Sequence, residues 1–221
     1  MDTTKTVPLV FQAGDPVGTG LVGSLARPGG NATGVSTVSP DLTAKRLDLL
    51  RQLLPRANRI AVLGNPANPL NVRHLEEARS AARALRFSLE AYGARDIAEL
   101  DSALAAIQRS RPDAFLATAD LFLLGQRAKI TAALRKSRLP CVLPYSEFHD
   151  TGALMTYGYS LRWVAHRTAL YVDKILRGAN PADTPVEQLT KFELVIDIRV
   201  ARDLELKIPE TLLYRADQVL Q

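Results

Sequence analysis

Short apolar runs alternate with longer amphipathic stretches along almost the whole of this 221-residue chain. The runs are rich in Val, Ile, Leu and Phe and are bounded by Gly, Pro, Asn or Asp, a pattern typical of fully buried strands. We predict strands at Val7–Phe11, Gly34–Val38, Arg59–Leu63, Ser88–Tyr92, Ala114–Thr118, Pro140–Pro144, Ala153–Tyr157 and Leu194–Ile198.

The stretches between these strands carry apolar residues three and four positions apart, which predicts helices with one buried face. The first runs from Leu42 to Leu54, where Pro55 stops it. Further helical faces are predicted within Leu75–Leu85, Leu100–Ile107, Ile130–Leu134 and Trp163–Leu176. Because strands and helices alternate, we predict an α/β fold of right-handed βαβ units, with parallel sheets covered by helices on both faces.

The order strand, loop, strand and long helix occurs twice. Val7–Phe11 leads through Asp15-Pro16 to the strand that begins at Gly34. Leu139–Pro144 leads in the same way through Glu147-Phe148 to a second strand. The repetition predicts two lobes of similar topology, joined by strands that cross between them. We assign residues 1–39 and 161–221 to the first lobe and residues 40–160 to the second.

Composition restricts the classes of protein to consider. The hydrophobic content of 47% and charged content of 23% suit a globular protein, and no apolar run reaches the roughly 18 residues of a membrane span. The net charge is +5, but the basic residues alternate with acids, as at Glu76, Glu77 and Arg79, so we predict no nucleic-acid partner. The single cysteine, Cys141, lies in an apolar run and is predicted to be buried and inert.

The sequence contains none of the common catalytic signatures. There is no G-x-S-x-G elbow, H-E-x-x-H, P-loop or dinucleotide-binding G-x-G-x-x-G after a strand. The histidines lack metal-ligand spacing; they are His74, His149 and His166. We therefore predict a protein that is not an enzyme, with no catalytic residues, no metal and no cofactor. Asp120 and Glu147 are the only candidate acid–base pair for an alternative flavodoxin-like or sugar-processing enzyme.

Candidate ligand-binding residues follow from the fold, because open α/β sheets bind ligands beyond the carboxyl ends of their strands. After the first strand, Asp15 and Pro16 suit the N-cap and first turn of a helix, whose free N–H groups can hold a carboxylate. A capped helix without a ligand is the alternative. After the third strand, Asn65, Asn68 and Asn71 offer paired donors and acceptors, although asparagine also favours ordinary turns.

An aromatic residue stands close to an acid after two later strands. Phe122 follows Asp120, and Tyr145 precedes Glu147. Such pairs can sandwich a flat ligand and bind its amine, whereas core packing is the alternative role for the aromatic rings. The predicted ligand-binding residues are Gly14, Asp15, Pro16, Val17, Asn65, Asn68, Asn71, Asp120, Phe122, Tyr145 and Glu147.

Several segments together resemble the substrate-binding proteins of ABC transporters that are associated with tryptophan or tyrosine uptake. The segments are Asp15–Val22, Leu25–Gly34, Lys45–Leu50, Ala61–Pro69, Tyr171–Ala179 and Pro185–Ile196. The resemblance extends from about Val7 to the end of the chain. It implies a type I periplasmic-binding-protein fold that captures a small organic solute, an aromatic amino acid or related organic acid, in a cleft between the lobes. It also implies hinge closure, delivery to an ABC transporter permease, and a periplasmic location.

The chain departs from the family pattern before Val7. Family members carry an export signal and several βα units there, so we expect a chain without a signal peptide and with an incomplete first lobe. A sheet that lacks neighbouring strands exposes an edge and an apolar face, which predicts a homodimer that covers them. The alternative function is the ligand-sensing effector domain of a transcription regulator, which would need a helix-turn-helix that Met1–Thr6 is too short to form.

Overall fold

The computed structural model describes residues 4–37 and 41–221, and it divides the chain into two compact units. Unit 1 is formed by Met1–Ser39 and Leu161–Lys191, and unit 2 by Pro40–Ser160 and Phe192–Gln221. This differs from the sequence-based assignment in one segment. Residues 192–221, expected in the first lobe, belong to unit 2, because their first strand pairs with a strand of that unit.

The strands and helices follow one another in the predicted alternation. In chain order they are β1 (Leu9–Ala13), β2 (Ala32–Ser36), α1 (Asp41–Leu53), β3 (Arg59–Gly64), α2 (Asn71–Ala84), β4 (Ser88–Gly93), α3 (Ile97–Ser110), β5 (Ala114–Ala117), α4 (Leu121–Gly125), α5 (Arg127–Lys136), β6 (Cys141–Tyr145), β7 (Met155–Tyr159), α6 (Leu161–Leu176), β8 (Glu187–Gln188), β9 (Glu193–Asp197), α7 (Ile198–Asp203), α8 (Glu210–Arg215) and β10 (Gln218–Leu220).

Unit 1 contains a three-stranded parallel sheet in the order β1-β2-β8 among the described residues. Helix α6 packs against β1 and β2. The backbones of β1 and β2 approach closely at Gly34, where φ is +153° and an added Cβ would lie 2.0 Å from the carbonyl oxygen of Phe11. Arg167 of α6 makes a bidentate ion pair with Glu187 of β8, at 2.6 to 3.0 Å.

Unit 2 contains a seven-stranded sheet in the order β10-β9-β7-β6-β5-β3-β4 within the described part of the chain. Strands β4, β3, β5, β6 and β7 run parallel, and β9 pairs antiparallel with β7. Every residue of β5 and β6 is buried, because helices cover both faces of this part of the sheet. This burial explains why these strands are continuous apolar runs without alternation.

The eight predicted strands are present as β1 to β7 and β9, most of them displaced by one or two residues. Val38, the predicted end of the second strand, lies outside the described residues. The sequence did not predict β8, β10, α4, α7 or α8, all of which are short. The sheets are parallel as predicted except at β9, which returns antiparallel along β7.

The helix predicted at Pro16 is absent. Asp15 does act as a cap, since its Oδ1 accepts the N–H of Gly18 at 2.9 Å. However, residues 16–20 form only turns, and Gly20 adopts a positive φ of +71° that leaves the helical path. Glycine raises the entropic cost of ordering a helix, so this glycine-rich segment stops after one turn.

Among the described residues, no helix combines the length and the apolar character needed to cross a bilayer.

Candidate functional site

A cluster of buried and half-buried polar side chains lies at the carboxyl ends of the parallel strands in unit 2. We call it the carboxyl-edge cluster. Its members follow β3, β5, β6 and β7 or project from the adjacent helices; they are Arg46, Asn65, Asn68, Asn71, His74, Thr118, Asp120, Tyr145 and Tyr159. This is the edge where α/β sheets of this type bind ligands, because the strand-to-helix loops converge there.

Asp120 organises one side of the carboxyl-edge cluster. Its carboxylate is only 6% exposed, and Oδ2 accepts the side-chain amides of Asn65 at 3.2 Å and Asn68 at 2.9 Å. Oδ1 accepts the backbone N–H of Leu123 at 3.0 Å, which makes Asp120 the N-cap of α4. A carboxylate offers about four acceptor positions, so these three bonds leave one position for a ligand.

The loop after β3 is shaped by its own asparagines. Asn65 Oδ1 accepts the N–H of Ala67 at 2.9 Å, and Asn68 Oδ1 accepts the N–H of Leu70 at 3.0 Å. Each side chain therefore uses its oxygen to form a local turn and its amide to reach Asp120. The turn-forming role considered from the sequence is present, and the same residues also join the buried network.

Asn71, the first residue of α2, faces the end of β3. Its Oδ1 accepts the hydroxyl of Thr118 at 3.5 Å, and a Cβ added at Gly64 would lie 2.1 Å from the same oxygen. Asn71 is 6% exposed. Its amide group therefore packs between β3 and the residue that follows β5.

Two tyrosines form an aromatic wall within the carboxyl-edge cluster. The rings of Tyr145 and Tyr159 meet edge to face, with centroids 5.3 Å apart and planes at 81°. Burial and the neighbouring Tyr159 hydroxyl raise the pKa of Tyr145 well above 10, so it stays neutral. Tyr145 was predicted from the sequence, whereas Tyr159 was not.

Arg46 is a further member of the cluster that was not predicted from the sequence, as are His74 and Thr118. It projects from α1, is 2% exposed, and donates from Nε to the backbone oxygen of Tyr157 at 2.7 Å. No carboxylate among the described residues lies within ion-pair distance of its guanidinium. Burial lowers the pKa of Arg46 to about 10, partly opposed by nearby tyrosines, so the group remains charged at neutral pH. Its spacing could have indicated this burial, because Arg46 lies four residues from the buried Leu42 and four from the buried Leu50, on the same face of α1.

His74 of α2 adjoins Arg46 without neutralising it. Burial, followed by repulsion from Arg46 and Arg73, lowers the pKa of His74 to about 4, although Asp120 opposes the shift. The imidazole is therefore neutral at neutral pH. Its Nδ1 is buried and has no hydrogen-bond partner within the described structure.

The other predicted residues are placed less centrally. Phe122 is half-buried on α4, and the described aromatic ring contact of Tyr145 is with Tyr159 rather than with Phe122. Glu147 lies in a 3-10 turn after β6, where its Oε1 accepts the hydroxyl of Ser160 at 3.1 Å. The structure thus joins Asn65, Asn68 and Asp120 directly.

Gly14, Asp15, Pro16 and Val17 belong to unit 1 and follow β1. Pro16 is buried and Val17 is 42% exposed. Because the N–H of Gly18 is already held by Asp15, that amide is not available to an anion as the sequence suggested.

The described residues contain no candidate metal site, since no group of three or more His, Cys, Asp or Glu side chains among them is arranged to hold an ion. Cys141 is 3% exposed and burial raises the pKa of its thiol to about 11, in agreement with the predicted buried thiol.

Comparison with known proteins adds a family context to this geometry. The model of a family described as "ABC transporter substrate binding protein" matches residues 1–220. A tyrosine-binding protein of Clostridioides difficile is 24% identical over 208 residues, which cover 93% of this chain and 59% of that protein. The chain thus spans about three fifths of that relative's length.

Two solved structures are similar over nearly all of this chain. The ABC domain in complex with L-Trp from Streptococcus pneumoniae has a TM-score of 0.87 and 27% identity, with 98% of this chain and 73% of that chain covered. A conserved domain protein from Vibrio cholerae has a TM-score of 0.87 and 31% identity, with 98% and 72% covered. These structures have the type I periplasmic-binding-protein fold, so the predicted fold class is confirmed.

Proposed function

We infer the function of this chain from one premise: it belongs to the family of ABC transporter substrate-binding proteins. The family consists of substrate-binding proteins and not of enzymes. We propose that this chain captures a small organic solute, an aromatic amino acid or a related organic acid, and delivers it to an ABC transporter permease. The named ligands of two similar proteins, tyrosine and L-Trp, support this ligand class.

The observation that carries the proposal is the buried charge of Arg46. Burying a charged group is costly unless an opposite charge or several hydrogen bonds compensate it. The described contacts give Arg46 one hydrogen bond, to Tyr157, and the neighbouring His74 is neutral. A ligand carboxylate would supply the missing anion, and a guanidinium can bind a carboxylate through two parallel hydrogen bonds.

The surroundings of Arg46 suit the remainder of an aromatic amino acid. Tyr145 and Tyr159 supply an aromatic wall, whose ring faces and edges favour contact with another aromatic ring. The remaining acceptor position of Asp120, together with Glu147, is proposed to receive the ammonium group. Asn65, Asn68, Asn71 and Phe122 are proposed to shape the site, and Gly14–Val17 remains a proposed binding segment of unit 1.

The experiment that tests this site is calorimetric titration of the purified chain with L-tyrosine and L-tryptophan, and with the carboxamide of each. We expect Arg46→Met to weaken amino acid binding by roughly 10- to 100-fold, the usual value of a charge-assisted pair. The exposed Arg79→Met on α2 is the matched control and should bind normally. If the wild type bound the amino acids and their carboxamides with equal affinity, the proposed contact between Arg46 and the ligand carboxylate would be excluded. Failure of the wild type to bind either amino acid would refute the ligand class.

A periplasmic location, a permease partner and a homodimer complete the proposal. The homodimer is supported by features of unit 1: β1 pairs only with β2 among the described strands, and α6 exposes Leu170, Val172 and Leu176. Unpaired strand edges and exposed apolar side chains favour association. Light scattering at micromolar concentration should give the mass of a dimer, and Leu176→Glu with Val172→Glu should return a monomer. A monomeric wild type would exclude the dimer.

A further inference from the structure

Three helices of unit 2 end at an arginine in the left-handed conformation. These residues are Arg86 after α2, Arg111 after α3 and Arg138 after α5, with φ of 56°, 48° and 52°. Glycine is the usual residue at this position, because a Cβ is strained there. The chain places a long cationic side chain at each of these positions instead of a glycine. Glu205, after α7, adopts the same conformation with φ of 58°, so the conformation itself does not require a cation, and the shared location of the three arginines is the feature that sets them apart.

All three arginines lie at the amino-terminal edge of the parallel sheet, opposite the carboxyl-edge cluster. Arg86 stands two residues before β4, and Arg111 and Arg138 each stand three residues before β5 and β6. In the sheet order β6-β5-β3-β4, strands are spaced by about 4.8 Å, so the row extends over about 14 Å. Arg59, at the start of β3, fills the interval between Arg111 and Arg86.

A groove of about 400 Å³ opens between the ends of α3 and α5 on this edge. Its cationic lining is formed by Arg111, Lys136 and Arg138, and its apolar lining includes Ile107 and Leu139. Among the described residues, neither Arg111 nor Lys136 has an ion-pair partner, and the same holds for Arg86. Ile107 and Leu139 are themselves buried, at 2% and 7% exposed, so the edge offers a partner positive charge rather than apolar surface.

The carboxylates on the same edge are largely engaged. Asp113 accepts the backbone N–H groups of Asn58 and Arg59 at 2.7 and 2.8 Å, and Glu90 pairs with Arg59 at 2.6 Å. Glu205 pairs with Arg138 at 2.9 Å, but the two side chains are 83% and 57% exposed. Such an exposed pair is weak and leaves Arg138 able to exchange partners.

We propose that this amino edge of unit 2 is an interaction surface for the anionic headgroups of a phospholipid membrane. The cations form an uneven row interrupted by Asp113 and Glu205, so a rigid polyanion would need a matching spacing. Lipids diffuse laterally and can gather at each cation whatever the spacing. Helix C-termini meet this edge, so the attraction comes from the side chains and not from helix dipoles.

This inference goes beyond the proposed function and does not depend on the ligand. Because the surface and the carboxyl-edge cluster lie at opposite ends of the strands, membrane contact would leave the cluster accessible. A loss of vesicle binding and a loss of amino acid binding can therefore be measured separately in the same variants.

The test is sedimentation of the intact chain with vesicles of phosphatidylcholine, with and without phosphatidylglycerol, at low and high salt. The informative variant carries Arg86→Asn, Arg111→Asn and Arg138→Asn, because asparagine tolerates the left-handed conformation and keeps the backbone. A control with the same loss of charge carries Lys5→Gln, Arg27→Gln and Arg177→Gln, all in unit 1.

We expect the wild type to bind only the vesicles that contain phosphatidylglycerol, and to release them at high salt. The triple asparagine variant should show at least about a tenfold lower partition coefficient, and the unit 1 control should bind like the wild type. Equal binding by the two triple variants, or no binding by the wild type, would overturn the proposal. Tighter binding to a DNA duplex than to the anionic vesicles would overturn the assignment to lipid.

Discussion

The side-chain amide of Asn68 donates to Oδ2 of Asp120 at 2.9 Å. This contact ties the loop after β3 to the N-cap of α4, and Asn65 reinforces it from the same loop. The geometry requires an acceptor at Asp120, since both asparagines present N–H groups to it. Asp120 thus positions the loop that carries two of the predicted binding residues, Asn65 and Asn68, and leads into α2 at Asn71.

We predict that Asp120→Asn lowers the free energy of unfolding by about 2–3 kcal/mol, because an NH2 group would replace one of the two oxygens that now accept N–H groups. Denaturation by urea measures the loss. Asp96→Asn is the matched control: Asp96 caps α3 by accepting the N–H of Glu99 at 2.8 Å, and asparagine caps as well as aspartate. Equal effects of the two substitutions would show that the asparagine contacts contribute nothing.

Replacing Arg46 should separate stability from binding. We expect Arg46→Met to leave the free energy of unfolding unchanged or to raise it by about 1–3 kcal/mol, because an apolar side chain removes a buried charge that has no counter-ion in the described part of the chain. The same substitution should weaken ligand binding by roughly 10- to 100-fold, as proposed above. Thermal and urea unfolding without ligand provide the measurement.

Arg51, on the same helix, is the contrasting case. Its guanidinium lies 3.8 Å from the centroid of Phe87 and donates to four backbone oxygens, those of Pro55, Ala57, Leu85 and Arg86. Arg51→Met should cost about 2–4 kcal/mol. If Arg46→Met destabilised the chain as much as Arg51→Met, the guanidinium of Arg46 would be compensated within the protein and would not await a ligand.

Gly158 of β7 tests the packing beneath the site. A Cβ at this position would lie 1.8 Å from the backbone oxygen of Pro144, so the two neighbouring strands would have to separate. We predict that Gly158→Ala costs at least about 3 kcal/mol in urea unfolding, as expected for overpacking against backbone. Gly125→Ala on α4 has open space around it and should be neutral or slightly stabilising. A neutral Gly158→Ala would contradict the close approach of β6 and β7.

The two buried histidines predict how stability depends on pH. Burial lowers the pKa of His74 and of His149 to about 4, from 6.5 in the unfolded chain, although acidic neighbours oppose both shifts: Asp120 for His74, and Asp197 and Asp150 for His149. Between these values the unfolded chain binds protons that the folded chain excludes, so stability falls as the pH falls from about 6.5 to 4.

Each histidine should contribute roughly 2–3 kcal/mol to that loss. Urea midpoints measured across this pH range should decline in the wild type and decline much less in the double variant His74→Gln, His149→Gln. The exposed His166→Gln serves as the control and should keep the full decline. A wild-type midpoint that stayed constant over this range would contradict neutral buried histidines.

The fold was largely predictable because strands that are buried on both faces are continuous apolar runs in the sequence. Ala114–Ala117 and Cys141–Tyr145 are apolar at every position except Tyr145, since helices cover both faces of those strands. The short strands Glu187–Gln188 and Gln218–Leu220 show no such apolar pattern. Two or three residues at a sheet edge are defined by the strand they pair with rather than by their own pattern.

The position of Asn65, Asn68, Asp120 and Tyr145 at one edge of the sheet was predictable from the sequence, because each lies at or just after the carboxyl end of a parallel strand. Their role in ligand binding stays a prediction. Only the tertiary structure showed that Arg46 is buried with no counter-ion among the described residues and that Tyr159 meets Tyr145. The same holds for the three arginines at the opposite edge, which are dispersed in sequence and interspersed with acids. Local pattern determines which residues form a strand or a helix face, whereas the pairing of distant segments decides which charges become neighbours and which lose their water.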